Sequence, residues 1–172
     1  MSYKFRNELL KTRPKFNNLL NEMLLNKEVN EFDDELWSII NRDKTSIRIN
    51  GEPLAFKDFF HLDLNEGRCK SLVIELLFLL DKMGIYSEAV ECTNEEFIGT
   101  RGSVYGGHWY LEIKKEDTMI CIDTSLVITG SPSSFEKLGH KVIRKLDLDT
   151  LFKEDNGLID YYDNMIINKH GL

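Results

Sequence analysis

The sequence predicts an α+β fold in which helices come first and antiparallel strands follow. Apolar residues recur at helical spacing as far as residue 62, and a long helix that is apolar on two sides comes next. Beyond Gly84 the pattern changes to that of strands. The 172 residues, 42% hydrophobic and 30% charged, are enough for a buried core. We therefore expect one domain over residues 1–172, without internal repeats or linkers.

Residues 1–62 are expected to form a helical N-terminal part. Apolar side chains return every three or four residues between Phe16 and Leu24, and again between Phe32 and Ile40. A third short helix is expected over residues 54–61, with its aromatic side chains facing inward.

Residues 63–147 are expected to form the core, which opens with a central helix over residues 69–83. The polar run 65–68 interrupts the earlier pattern, and Gly84 supplies the C-terminal stop. Two apolar faces indicate a buried helix. Their members are Leu72, Leu76, Leu79 and Met83 on one face, and Val73, Leu77 and Leu80 on the other.

Strand patterns follow this helix over residues 85–92, 108–113 and 118–126, and a further strand is expected over residues 140–146. Residues 114–117 separate the second and third strands, as a four-residue hairpin loop would. A closing amphipathic helix over residues 160–169 belongs to a helical C-terminal segment, residues 148–172.

Three residues in these elements have the side chains that nucleophilic catalysis by a cysteine requires. Cys69 begins the central helix, where the unpaired N–H groups and the helix dipole favour a thiolate. The hairpin places His108 directly opposite Asp123, on the face that also carries Tyr110 and Cys121. Asp123 could then fix the tautomer of His108, which could deprotonate Cys69 and later protonate a leaving group. A one-residue slip in register would separate the pair.

Several simpler interpretations remain open for the same residues. Cys69 alone could be a buried structural thiol, and Cys121 could be core or could reach the site. A metal site made of Cys69, His108 and Asp123 has suitable ligand types but no dense ligand motif. The glycine-rich stretch 101–107 is a substrate gate or a plain strand connection. Trp109 is expected to lie in the core, whereas the three remaining histidines, His61, His140 and His170, are expected to be surface or capping residues.

The runs GRCKSLVIELLFLLDKMGI, GGHWYLEI and CIDTS together resemble the transglutaminase-like, papain-related cysteine enzymes. The resemblance covers about residues 65–125. The layout is similar to that of bacterial transglutaminase-like peptidases, lasso-peptide leader proteases and peptide N-glycanases. It implies a Cys-bearing helix packed on an antiparallel sheet, with Cys69 as nucleophile, His108 as base and Asp123 as the orienting acid.

The resemblance also implies a class of reaction, cysteine-dependent amide hydrolysis or acyl transfer through a thioester. Peptide or protein cleavage comes first, and glutamine deamidation or transglutaminase-type transfer is the alternative. Substrate contacts are expected from Gly106, Gly107, Tyr110 and Asn65. Asn65 and His61 are candidates for completing an oxyanion hole. The small domain leaves little room for a glycan or calcium site.

The amino-acid composition limits the kinds of partner that this protein is expected to bind. Acidic residues outnumber basic ones by 29 to 22, a net charge of −7, which argues against nucleic acid. We expect no signal peptide, no membrane span, no metal and no cofactor. Three cysteines without a CxxC pair suit a reducing cytoplasm. The expected partner is a peptide or protein substrate, which another protein could deliver. The competing class is a non-catalytic binding module that retains the fold.

Overall fold

The computed structural model describes residues 4–32, 48–49, 52–53, 69–100 and 103–164. Within these ranges the chain is α+β, as the sequence predicts. The helices are α1 (Lys4–Thr12), α2 (Pro14–Leu25), α3 (Cys69–Lys82), α4 (Pro132–Lys137), α5 (Leu148–Glu154) and α6 (Gly157–Asn164), with a 3-10 turn at Glu95–Phe97. The strands are β1 (Val29–Asn30), β2 (Arg48–Ile49), β3 (Glu52–Pro53), β4 (Ser87–Thr93), β5 (Gly107–Lys115), β6 (Thr118–Asp123), β7 (Ile128–Gly130) and β8 (Lys141–Leu146).

Six of these strands form one sheet in the order β1-β7-β6-β5-β4-β8, in which every neighbouring pair is antiparallel. The strands β2 and β3 pair separately with each other. Because β5 and β6 lie inside the six-stranded sheet, the residues that they carry are held by neighbours on both sides.

One face of the sheet packs against α3. Every second residue of β5 from Trp109 to Ile113 belongs to a core cluster that also contains the buried residues of α3. The helix is buried along Leu72–Leu80, including the acidic Glu75. The expected buried central helix is therefore confirmed, and so is the expectation that Trp109 lies in the core.

The opposite face of the sheet packs against α1 and α2. Val90, Cys92 and Tyr110 share a second core cluster with Leu9 and other residues of the two N-terminal helices. His108 and Glu112 alternate with the α3-facing residues of β5, so both polar side chains lie on this second face. The two faces of one strand therefore differ in character, and the polar one carries the candidate site.

The hairpin between β5 and β6 corrects the predicted register. Lys115 pairs with Thr118 and Leu111 pairs with Ile122, so the connection is the two-residue turn Glu116–Asp117 rather than a four-residue loop. Glu116 has a φ of 52°, the left-handed backbone that tight hairpins use. The register is displaced by two residues from the prediction. A displacement of two leaves each side chain on its predicted face.

The N-terminal part is not entirely helical, which corrects the prediction for residues 1–62. The short strand β1 follows α2 because Val29 and Asn30 pair with Gly130 and Thr129, about a hundred residues later in the chain. No helical periodicity could reveal such a distant pairing. The predicted helices over residues 33–40 and 54–61 lie outside the described residues.

The C-terminal segment is helical at α5 and α6, and the part of the closing helix beyond residue 164 lies outside the described residues. The expected strand before it is β8, whereas β7, α4 and the 3-10 turn were not predicted. In the parts of the chain that the structure describes, no helix has the length and apolarity that crossing a membrane requires.

Gly106 and Gly107 provide a matched pair for testing the loop that leads into β5. Gly106 has a φ of +66°, and a Cβ there would overlap the backbone carbonyl of Asn94, whereas a Cβ on Gly107 would meet open space. We expect Gly106→Ala to lower the free energy of unfolding by about 1–3 kcal/mol or more, as left-handed backbone and overlap require. Gly107→Ala should change it by less than about 0.5 kcal/mol. Urea unfolding of both variants measures this, and equal losses would contradict the description of the loop.

Candidate active site

Cys69 is the first residue of α3, and its side chain is partly exposed. The thiol is hydrogen-bonded to the side chain of His108, and the backbone N–H of Trp109 donates to it. The thiol on α3 therefore meets the beginning of β5. A helix N-terminus, a backbone donor and an imidazole all favour the thiolate form.

His108 lies near the beginning of β5 and is buried. Its Nε2 is 2.7 Å from Oδ2 of Asp123, which leaves Nδ1 for Cys69. The rings of Phe5 and Phe97 flank the imidazole, with centroids 6.1 and 4.9 Å away. The structure brings His108 into contact with both Cys69 and Asp123, although His108 is not directly opposite Asp123 in the observed register.

Asp123 ends β6 and is fully buried. Its Oδ1 accepts hydrogen bonds from the backbone N–H groups of Ser125 and Leu126, each at 3.0 Å. Its Oδ2 accepts from His108 at 2.7 Å and contacts Nε2 of His140 at 3.0 Å. Donors on both oxygens stabilise the carboxylate where water cannot reach it.

His140 corrects the expectation of a surface or capping histidine. It is buried between α4 and β8, with Nε2 on Asp123 and Nδ1 2.9 Å from Nδ2 of Asn94. Neither His140 nor Asn94 was predicted to lie at the site. The one sequence signal for His140 is its position as the first residue of a predicted strand, as with His108. The pairing of β8 with β4, which brings His140 close, depends on the tertiary fold.

The electrostatics of Cys69 and His108 favour a charged pair. Burial opposes ionisation of Cys69, but the hydrogen bond and charge of His108 and the Trp109 N–H lower the pKa of the thiol below its ordinary value. Burial likewise disfavours a charged His108, yet the charge and hydrogen bond of Asp123, helped by Cys69, raise the pKa of His108 to about 10. The thiol becomes more acidic and the imidazole more basic, as a thiolate–imidazolium pair requires.

Asp123 and His140 complete the electrostatic pattern. Burial raises the pKa of Asp123, but the charge of His108 and the hydrogen bonds from both histidines hold it well below the ordinary value. Burial and the charge of His108 lower the pKa of His140, against the opposing effect of Asp123. Both histidines contact the same carboxylate, but the pKa of His108 is raised and that of His140 is lowered, so His108 is the stronger base of the two.

The two other cysteines are buried and chemically unlike Cys69. Cys92 lies opposite His108 on β4, and Cys121 is 3.8 Å from a carboxylate oxygen of Glu112. Burial raises the pKa of Cys92, and burial together with Glu112 raises the pKa of Cys121. Both side chains belong to the core cluster below α1 and α2, so Cys121 is core rather than a substrate contact.

The residues expected to contact substrate differ in their exposure. Tyr110 is buried with its ring 5.0 Å from Phe135, so it offers no exposed surface and its assignment as a substrate contact is corrected. Gly106 is buried and its carbonyl accepts from the Asn94 N–H at 2.9 Å. Gly107 is exposed immediately before His108. The predictions for Asn65, His61 and His170 fall outside the described residues.

His108, Asp123 and His140 could by type hold a metal ion, since one ligand atom from each lies within 4.8 Å of the others. A metal there would need the lone pair of Nε2 on His140. The Nδ1 of that ring faces the amide nitrogen of Asn94, which can only donate. The proton of His140 therefore belongs on Nε2, and the donor set does not suit a metal.

Comparison with known proteins finds no match to this chain, whether among protein-family models, curated proteins or solved structures.

The two histidines predict opposite pH dependences of stability. A folded His140 that resists protonation makes stability rise with pH up to its unfolded pKa of about 6.5. A folded His108 with a pKa raised by Asp123 holds its proton above pH 6.5, so stability falls as the pH rises from there. We expect slopes of up to about 1.4 kcal/mol per pH unit, measured by urea unfolding in Cys69→Ser, which removes the thiol from the titration.

The matched control is Cys69→Ser with Asp123→Asn added. Without the carboxylate the raised basicity of His108 is lost, so the decline above pH 6.5 should flatten. A decline of the same steepness in both variants would contradict the assignment to the His108–Asp123 pair.

Proposed function

We propose that this protein is a cysteine-dependent amide hydrolase or acyltransferase in which Cys69, His108 and Asp123 form the catalytic triad. The observation that carries the proposal is a continuous chain of hydrogen bonds. It runs from the Cys69 thiol at a helix N-terminus to His108, whose Nε2 is 2.7 Å from Oδ2 of the buried Asp123 carboxylate. An inert structural thiol would need neither an activating imidazole nor a buried carboxylate behind it.

The proposed reaction begins with attack of the Cys69 thiolate on an amide carbonyl. The oxyanion that forms can be stabilised by N–H groups at the start of α3. The imidazolium of His108 then gives its proton to the leaving amine, and a thioester remains on Cys69. Water, or a second amine, gives a proton to His108 and attacks the thioester, which releases the acid or the new amide and regenerates the thiolate.

The proposal extends to the type of core. A helix that begins with the nucleophile and packs on an antiparallel sheet, followed by a histidine strand and an aspartate strand, agrees with the transglutaminase-like, papain-related enzymes that the sequence resembles. Three unpaired cysteines among the described residues agree with a reducing cytoplasm.

Peptide or protein hydrolysis is the preferred reaction, because it requires only the triad, an oxyanion site and water. Deamidation and amine transfer use the same thioester and differ in which acceptor resolves it. A partner protein that delivers the substrate is compatible with each of these reactions. If the thiol proves not to be activated, the alternative is a binding module that retains the fold.

Alkylation of Cys69 against pH tests the activated thiol. We expect Cys69 to react with iodoacetamide below pH 7, because His108 and the helix N-terminus stabilise the thiolate. In His108→Ala the rate at pH 6 should fall by about tenfold or more, toward that of a thiol with a pKa of about 8.5. Peptide mapping separates Cys69 from Cys92 and Cys121, which serve as buried controls in the same molecule. Ordinary reactivity of Cys69 in the folded wild type would favour the binding module.

A peptide library analysed by mass spectrometry tests the reaction itself, with and without a supplied primary amine. We expect cleavage products that Cys69→Ala does not form, because the thioester requires the thiol. Conversion of glutamine to glutamate without cleavage would identify a deamidase, and attachment of the amine would identify a transferase. Equal product formation by wild type and Cys69→Ala would contradict a cysteine mechanism.

A further inference from the structure

Asn94 lies behind the triad and has an amide whose orientation its neighbours determine. The residue follows β4 and is buried. Its Oδ1 accepts from the backbone N–H of Glu96 at 3.0 Å, and its Nδ2 donates to the carbonyl of Leu138 at 2.9 Å. Exchanging the two amide atoms would oppose donor to donor and acceptor to acceptor, so the orientation follows from two backbone groups.

The oriented amide determines the tautomer of His140. The Nδ2 of Asn94 is 2.9 Å from Nδ1 of His140, and an amide nitrogen can only donate. The Nδ1 must therefore accept, which leaves the single ring proton on Nε2. That proton is donated to Oδ2 of Asp123 at 3.0 Å. Protonating Nδ1 as well would set two donors against each other in a buried site.

Asp123 thus meets two imidazoles but can neutralise only one positive charge. The ring centroids of His108 and His140 are 5.5 Å apart, so two imidazolium ions on one carboxylate would repel each other. The titratable groups around the pair come from four elements: Asp123 on β6, His108 and Tyr110 on β5, Cys92 on β4 and Cys69 on α3. Among these groups, only Asp123 and Cys69 favour a positive charge on His108. The amide of Asn94, which is not titratable, opposes a positive charge on His140 because it donates to Nδ1.

We propose that Asn94 and His140 are positioning residues for the Cys69–His108–Asp123 site: Asn94 keeps His140 as the neutral Nε2–H tautomer, and His140 orients Asp123 while leaving the carboxylate charge to His108. The effect on Cys69 rests on the proposed function. The tautomer of His140 does not.

The backbone around Asn94 supports a structural arrangement built to hold this amide. Two glycines with positive φ, Gly106 and Gly139, lie close to Asn94. A Cβ on Gly106 would overlap the backbone carbonyl of Asn94, and a Cβ on Gly139 would lie 3.1 Å from Oδ1, closer than an ordinary contact. The backbone N–H of Asn94 also donates to the carbonyl of Gly106 at 2.9 Å. The amide is therefore fixed by rigid backbone rather than by movable side chains.

The first test is the tautomer of His140 in the wild-type protein. Long-range ¹H–¹⁵N NMR correlations, assigned with His140→Gln, distinguish the neutral Nε2–H ring, the neutral Nδ1–H ring and the imidazolium. We expect the Nε2–H pattern from pH 6 to 8, whereas His108 should give the imidazolium pattern in that range. An Nδ1–H or imidazolium His140 would overturn the proposal, and so would stoichiometric binding of Zn²⁺ through its Nε2.

The second test is Asn94→Asp, which replaces the donor beside Nδ1 with an acceptor of the same shape. His140 should then become an imidazolium and compete with His108 for Asp123, so the alkylation profile of Cys69 should move to higher pH by about one unit, a tenfold slower reaction at pH 6. Asn21→Asp adds the same charge on the exposed surface of α2 and should leave the profile unchanged. A folded Asn94→Asp protein with the wild-type profile would overturn the directing role.

The outcomes separate this inference from the proposed function. An ordinary Cys69 thiol together with an Nε2–H His140 would contradict the function and leave the tautomer assignment standing. An activated Cys69 together with an imidazolium His140 would support the function and overturn the inference. If Asn94→Asp does not fold, the NMR measurement on the wild type still decides the tautomer.

Discussion

The buried carboxylate of Asp123 is the interaction on which the rest of the site depends. It is fully buried, and it accepts hydrogen bonds from two backbone N–H groups and contacts two imidazoles. A charge in such a place is tolerated only when protein donors replace its hydration. Those donors come from the turn after β6, from β5 and from the residue before β8. The position of three separate chain segments is therefore tied to one side chain.

The two faces of the sheet are different environments, and the Asp123 carboxylate lies on the face beneath α1 and α2. The face of the sheet that packs against α3 is an apolar core, whereas the opposite face carries His108 and Glu112 beneath α1 and α2. Cys69 belongs to the helix on the apolar side but reaches the beginning of β5, where a backbone N–H and an imidazole are both available. The reactive thiol is thus held by rigid elements, the helix and the strand, rather than by loops. Rigid placement of this kind limits the reorganisation that a reaction would require.

The two histidines show how neighbours give identical side chains opposite behaviour. Both rings are buried and both contact Oδ2 of Asp123. Burial disfavours protonation of both rings, but Asp123, helped by Cys69, raises the pKa of His108, whereas the charge of His108 adds to burial in lowering the pKa of His140. The Asn94 amide, which donates to Nδ1 of His140, gives that ring a further reason to stay neutral. Because each polar atom of the Asn94 amide has a partner, the network avoids the cost of a partly satisfied buried group.

The sequence by itself determined the α+β class, the central helix beginning at Cys69 and the shared face of His108 and Asp123, because each follows from local periodicity. The predicted hairpin register was wrong by two residues. His108 and Asp123 nevertheless lie on the same face, because side-chain direction in a strand repeats every two residues. Only the tertiary structure decided that β1 pairs with β7, that Tyr110 is buried, and that Asn94 and His140 stand behind Asp123. Those contacts join residues far apart in the chain, and no local pattern encodes which distant segments pack together.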